Sequence, residues 1–234
     1  MILLLLLLIC VVTSFSLLGS LYARKYNSAD ALIAIYATFT VLTQILAVKI
    51  IEYDLGFAKF YASFATVIFA VTFLLTDIVN EKFGRWETHR MIFIALIAQV
   101  AMAVFVWFST IWTPAPFWQF QDSWEHVFGL NLRITLASWL TFVVSENFDV
   151  WMFHLFRKLT RGRHLWMRNV FSSLPALAVD SVLFVTLAFY GIFPVLPMIL
   201  SQVVVKWLVG IIDVPFMYLN RVIMGRVHIL RTQV

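Results

Sequence analysis

A chain of 234 residues that is 62% hydrophobic and only 12% charged lacks the polar surface of a soluble domain, which is about half apolar and about a quarter charged. The net charge of +5 comes from Lys and Arg in short clusters between apolar runs, where they report topology and headgroup contact rather than nucleic-acid binding. A single cysteine, Cys10, excludes an intramolecular disulfide and a multi-cysteine metal site.

Seven apolar stretches, each long enough to cross a hydrocarbon core, predict helical spans near 1–22, 30–51, 60–81, 90–113, 134–156, 169–191 and 195–219. The first lacks a basic n-region and its positive charges, Arg24 and Lys25, follow it, so it reads as a retained helix rather than a secretory signal. Cytoplasmic loops carry the excess of Lys and Arg. Arg24 and Lys25 follow span one; Lys82, Arg85 and Arg90 follow span three; Arg157, Lys158, Arg161, Arg163 and Arg168 follow span five; Arg221, Arg226 and Arg231 follow span seven. The alternate loops offer only Lys59 and Arg133. The expected topology therefore has the amino terminus outside, the carboxyl terminus inside and the cytoplasmic membrane as solvent. The longest external connection, about 114–133, mixes Pro114 and Pro116 with Phe117, Trp118, Phe120 and Trp124. It suits a short segment lying at headgroup level, or a lid over an outward-facing cavity.

A charged side chain at membrane depth costs about 2.5–3.5 kcal/mol even on the lenient insertion scale, so each needs a partner, a wet cavity or a neutral form. Span three ends in Thr76, Asp77, Asn80 and Glu81, with Asp77 and Glu81 one turn apart on a shared face. Span five carries Ser145, Glu146, Asn147 and Asp149, then His154 near the inner boundary. Span six has Ser173 and Asp180 seven apart; span seven has Gln202, Lys206 and Asp213, spaced four and seven. Such narrow polar faces on Leu-, Val- and Phe-rich helices point spans three, five, six and seven at a common, partly hydrated interior. Lys206 lies too deep to snorkel and calls for Asp180, Asp149 or Asp77 as its partner. Gln44 and Lys49 in span two are weaker cases, Lys49 lying near the outer boundary. A structural reading competes at two points: Glu81 equally suits a solvated surface pair with Lys82 and Arg85, and Asp180 with Lys206 suits an ion pair that only fixes helix packing.

The sequence holds no HExxH, no paired cysteines, no GxSxG and no glycine-rich phosphate loop, so the common motif routes to a hydrolase or ATPase fail, no cofactor is implied, and any use of ATP would come from another chain.

Two stretches go further. FLLTDIVNEKFGRWETHR at 73–90 and SWLTFVVSENFDVWMFHLFRKLTRGRHLWMRNVFSSLPALAVDSVLFVTLAFYG at 138–191 resemble the queuosine precursor transporter family, a vitamin-uptake-transporter-like group. They share a T-D-x-x-N-E-x-x-G turn, a span that runs from serine to aspartate, a basic loop with L-W-x-R-N, and serines followed by D-S. The resemblance covers about 30–225 and implies an all-α, polytopic transmembrane helical bundle. Its six-helix core would be similar to the substrate-binding components of energy-coupling-factor vitamin transporters. Residues 1–29 would then be an added amino-terminal helix with its basic loop, and 226–234 a cytoplasmic tail. The family also implies import of 7-deazaguanine bases such as 7-cyano-7-deazaguanine, which feed queuosine or archaeosine synthesis. Its motif residues fall here on Asp77, Asn80, Glu81, Ser145, Asp149, Arg168, Asn169, Ser173, Asp180 and Ser181. Family members often carry Asn in span two where this chain has Gln44, which leaves substrate choice open.

The chemistry of such a ligand suits the polar interior. A guanine-like base presents N–H donors that a carboxylate accepts in pairs, a carbonyl that Lys, Asn or Gln can satisfy, and a flat face for Phe or Trp. The expected substrate-binding set is Asp77, Asn80, Glu81, Ser145, Asp149, Asn169, Ser173, Asp180 and Lys206. The expected partners are a small deazapurine and the lipid bilayer, with room for an energising subunit. Three other readings stay open: uptake of another vitamin-like heterocycle, a membrane enzyme with aspartates as metal ligands, and a helical scaffold.

Overall fold

The computed structural model describes residues 2–47, 49–54, 59–128, 132–160, 164–191 and 195–225. Its helices are α1 (Ile2–Tyr26), α2 (Asp30–Leu46), α3 (Ala65–Phe83), α4 (Arg85–Ile111), α5 (Gln121–Phe128), α6 (Leu132–Leu159), α7 (Leu165–Phe189), α8 (Val195–Ile212) and α9 (Val214–Met224). Strands β1 (Ile50–Asp54) and β2 (Lys59–Ser63) separate α2 from α3. Each predicted span coincides with a helix, the seventh with α8 and α9 together. Four stretches, Leu3–Tyr26, Arg85–Ile111, Leu165–Phe189 and Val195–Met224, are long and apolar enough to cross a membrane. The chain is a multi-pass α-helical membrane protein. Of the basic residues counted above, Arg161, Arg163, Arg226 and Arg231 lie outside the described residues, as does the tail 226–234.

Lipid exposure sorts the helices. On α4 the exposed side chains Phe93, Ile97, Val100, Val104, Trp107 and Ile111 recur every three or four residues, the stripe of a helix facing acyl chains on one side. In contrast, α3 is buried along almost its whole length from Ala65 to Glu81. It is the axis of the bundle, with α1, α2, α4, α6, α7, α8 and α9 packed around it. An axial helix meets protein on every side, so its Thr72, Thr76, Asp77 and Asn80 can find partners that lipid could not supply.

Two joints set the path of the chain. At Gly84 the amide donates to the carbonyls of Val79 and Asn80, both at 3.2 Å, closing α3. A φ of 87° with ψ of 173° then sends the chain directly into α4, a conformation essentially confined to glycine. At Asp213 the seventh span, read as one helix, divides into α8 and α9, because Pro215 in the first turn has no N–H to continue the ladder.

The hairpin corrects the sequence reading. Residues 50–51 and 60–63, assigned to spans two and three, are strands instead, paired antiparallel from Ile50↔Ser63 to Asp54↔Lys59. The hairpin is clamped to the end of α2 by Lys49 N–H to Leu46 O (3.2 Å) and Phe64 N–H to Lys49 O (2.8 Å). Lys49 is therefore an exposed hairpin residue and not part of a helix. α5 lies in the long 114–133 connection, as a short segment there was expected to. It is tied to the end of α4 by Trp124 Nε1 to Ser109 Oγ (3.2 Å) and Gln121 Nε2 to Thr110 O (3.3 Å). At the opposite end α1 is stapled to α9, where Ser20 donates to Asn220 (2.6 Å) and Asn220 to Ser16 (3.0 Å). Gly19 lets α1 approach α2, since a Cβ there would sit 2.6 Å from the Leu32 side chain.

Candidate functional site

The polar faces of α3, α6, α7 and α8 converge inside the bundle and divide into two layers. The layer nearer the hairpin is a cavity of about 90 Å³. In the measure where one water takes roughly 10–15 Å³, that is room for several waters or a small flat heterocycle. Lys206 from α8 donates to the Asp180 carboxylate of α7, and Ser145 of α6 donates to the other Asp180 oxygen at 3.2 Å. Of the three partners expected for Lys206, Asp180 is the one it takes. The Lys206 ammonium also stands 5.0 Å from the centre of the Phe69 ring. Opposite the ion pair, Gln44 of α2 donates to Gln99 of α4 at 2.6 Å, and the Gln99 amide nitrogen has no partner. Gln202, Thr43 and Thr141 add polar atoms, while Phe69, Phe142 and Phe184 form apolar walls. Ala47, Ser63 and Ala65 carry the cavity to the hairpin end; no described residue of α5 lines it.

The second layer lies toward Gly84 and is packed almost solid, with a void of only about 10 Å³ beside Glu81. Asp77 accepts from Asn169 and, at 3.3 Å, from Ser173, both on α7. Asp149 accepts from Thr76 at 3.3 Å. Asn80 donates to Val150 O at 3.5 Å. Arg168, fully buried, grips Glu81 through two hydrogen bonds of 2.6 and 3.1 Å and lies 5.4 Å from the Phe153 ring centre. Two details of the sequence reading change here. Glu81 is a buried ion pair with Arg168 rather than a surface pair with Lys82 and Arg85. Arg168, counted among loop charges, belongs to α7, where a bidentate carboxylate makes its burial tolerable.

Of the nine expected site residues, Asp180 and Lys206 line the cavity, and Ser145 orients Asp180 from beside it. Asp77, Asn80, Glu81, Asp149, Asn169 and Ser173 belong to the solid layer. Sequence reasoning passed over Gln99, a lone glutamine in the middle of span four, and ranked Gln44 low. It named Glu146 and Gln202 on polar faces without placing them in the site. Glu146 is fully buried and accepts from Thr72 at 3.1 Å.

A multi-pass bundle whose core holds a closed charge pair, amides and aromatic walls around a small cavity is built as a carrier of small polar molecules. Residues 63–220 match the model of the family described as "Putative vitamin uptake transporter", and the chain belongs to that family. Among curated relatives, the "Probable queuosine precursor transporter" of Bacillus subtilis is 28% identical over 161 residues, 67% of this chain and 70% of that protein. The "Queuosine precursor transporter" of Escherichia coli K12 is 24% identical over 141 residues, 60% of this chain and 61% of the relative. A Haemophilus influenzae protein, also named "Probable queuosine precursor transporter", is 28% identical over 132 residues, 56% of this chain and 54% of its own length. The alignments to the last two thus span less than two thirds of those relatives. No solved structure gives a significant match.

Proposed function

We propose that this chain imports a queuosine or archaeosine precursor base, a 7-deazaguanine such as 7-cyano-7-deazaguanine, across the cytoplasmic membrane. The amino terminus lies outside and the carboxyl terminus inside. The observation that carries the reading is the cavity between Asp180–Lys206 and Gln44–Gln99, because its donors and acceptors are those a guanine edge needs. Asp180 accepts the ring and exocyclic N–H groups, Lys206 or the unpartnered Gln99 amide donates to the carbonyl, and Phe69, Phe142 or Phe184 covers a ring face. The names of the curated relatives support the substrate class.

In this reading Asp180 and Lys206 touch the base and Ser145 holds Asp180 in position. Asp77, Asn80, Glu81, Asp149, Asn169 and Ser173 shape the floor of the site through the solid layer.

The test is uptake of labelled 7-cyano-7-deazaguanine by cells that neither make nor otherwise import it. Uptake with the wild-type chain, lost in Asp180→Asn at equal membrane abundance, is expected. No uptake by the wild type, with binding of a different heterocycle to the purified protein, would overturn the substrate assignment.

A further inference from the structure

The interior of the bundle contains more acid than base. Among the described residues Asp77, Glu81, Glu146, Asp149, Asp180 and Asp213 are each at most 5% exposed, against two buried basic residues, Arg168 and Lys206. Arg168 is taken by Glu81 and Lys206 by Asp180. Asp77, Glu146, Asp149 and Asp213 are left without an ion pair.

Glu146 stands at the boundary of the two layers. The preceding residue, Ser145, is bonded to Asp180 at the cavity, yet Glu146 itself does not line it. One Glu146 oxygen accepts from Thr72 at 3.1 Å and the other has no partner. The hydroxyl of Tyr36 on α2, fully buried, faces the same carboxyl and interacts with it. One turn further along α6, the Asp149 carboxyl has one oxygen on Thr76 and the Ser172 and Ser173 hydroxyls of α7 beside it. An unpaired carboxylate costs far more to bury than the neutral acid.

We propose that Glu146, with Tyr36 beside it and Asp149 below, is the binding site of a coupling proton that drives import of the base. The inference rests on the transport reading above. When the cavity faces the proton-rich side, hydronium gives a proton to the Glu146 carboxylate and an O–H bond forms. When the site opens to the other side that bond breaks and water takes the proton. Each cycle moves one proton and returns Glu146 unchanged. The titratable groups that bear on Glu146 are Asp149 on its own helix, Tyr36 on α2 and Asp180 on α7; beyond them Asp77 of α3 acts on Asp149, Lys206 of α8 bonds Asp180, and His89 of α4 bonds the neighbouring Asn147 (2.6 Å). A proton held at Glu146 lessens the negative charge beneath Asp180, which is how its arrival would be felt at the substrate cavity.

The experiment uses the full chain in vesicles, with labelled 7-cyano-7-deazaguanine and an interior pH dye. Infrared spectra of the same protein in detergent run alongside. Wild-type protein should accumulate the base at least 10-fold under an inward proton gradient, acidify the interior as it does so, and ignore a sodium gradient. Glu146→Gln should keep base-for-base exchange, lose gradient-driven accumulation, and lose one protonated-carboxyl band from the infrared spectrum. Accumulation driven by sodium, accumulation indifferent to the proton gradient in the wild type, or an unchanged carboxyl band in Glu146→Gln would each overturn the proton site. If the wild type exchanges no base while the carboxyl band is still lost in Glu146→Gln, the protonated group stands and the substrate reading falls.

Discussion

The Arg168 guanidinium on α7 holds the Glu81 carboxylate on α3 through two hydrogen bonds, 2.6 and 3.1 Å long, with neither side chain in contact with the cavity. The pair joins the axial helix to the outer bundle near the Gly84 turn. Breaking such a pair from one side leaves a buried charge alone, at a cost of about 3–5 kcal/mol, whereas replacing both partners by apolar groups is often neutral. Glu81→Gln should therefore lower the thermal midpoint in detergent sharply. Glu81→Met with Arg168→Met should recover most of the loss. A double variant as unstable as the single one would mean that the charges themselves, and not the uncompensated arginine, matter to the fold.

Gln99 makes the opposite case. Its side-chain oxygen accepts from Gln44 at 2.6 Å, but its nitrogen is buried at the cavity with no partner and is a donor to offer a ligand. Because it also strands the Gln44 amide that donates to Gln99, Gln99→Leu should cost about 1–3 kcal/mol of stability in the empty protein. It should weaken base binding about tenfold, the worth of roughly one net hydrogen bond. Calorimetric binding to wild type and variant checks this; equal affinities would remove Gln99 from the site.

Asp180→Asn and Lys206→Met separate a ligand-touching pair from a structural one. Both variants leave one buried polar group short of its charge partner, so both should lose some stability. If Asp180 accepts from the base, Asp180→Asn should lose binding by 10-fold or more even where the fold is rescued by low temperature. Paired melting and binding curves at several temperatures test this. Binding that tracks the folded fraction alone would reduce the pair to a packing device.

How much of this was legible in the sequence follows from solvent. Lipid forces helices to be long, apolar and separated by charged loops, so spans, their order and a polar interior could be read from one chain. Polar faces stood out for the same reason, and the depth of Lys206 demanded a carboxylate near where Asp180 proved to be. The division into a cavity and a solid layer was not legible. Asp77 and Asp180 both look like buried acids on one face, and whether a void lies beside them depends on Phe69, Phe142 and Phe184, which composition cannot place. The hairpin was hidden because Ile50, Ile51, Phe60 and Tyr61 are as apolar as the helices they adjoin; the signal was their β-branched and aromatic character on either side of Gly56. Arg168 misled because a basic residue near a loop is usually solvated, and its partner lay 87 positions away.

Gly84 offers a test of a turn rather than a contact. A Cβ at this position would meet nothing within 4 Å, so space alone would permit alanine. The backbone does not: φ of 87° with ψ of 173° lies in a region essentially restricted to glycine, and holding another residue there costs about 1–3 kcal/mol. Gly84→Ala should therefore destabilise the protein by that order, or shift the start of α4. A fall in the thermal midpoint with unchanged affinity for the base per folded molecule is the expected result. A variant as stable as wild type would show that α3 and α4 can be joined another way.

The proposed topology turns on which end of the bundle faces the cytoplasm. The hairpin, α5 and the cavity mouth lie at one end, and Gly84, Lys82 and Arg157 at the other. The clustered positive charge puts the second end inside. Cys10 is exposed on α1, so it must first be replaced by alanine. In that background Trp118→Cys should react with a membrane-impermeant maleimide on intact cells, because Trp118 is exposed beside α5. Thr160→Cys, at the end of α6, should react only after the membrane is opened. The reverse labelling pattern would invert the protein, turn the cavity mouth to the cytoplasm, and make the state described here the inward-facing one.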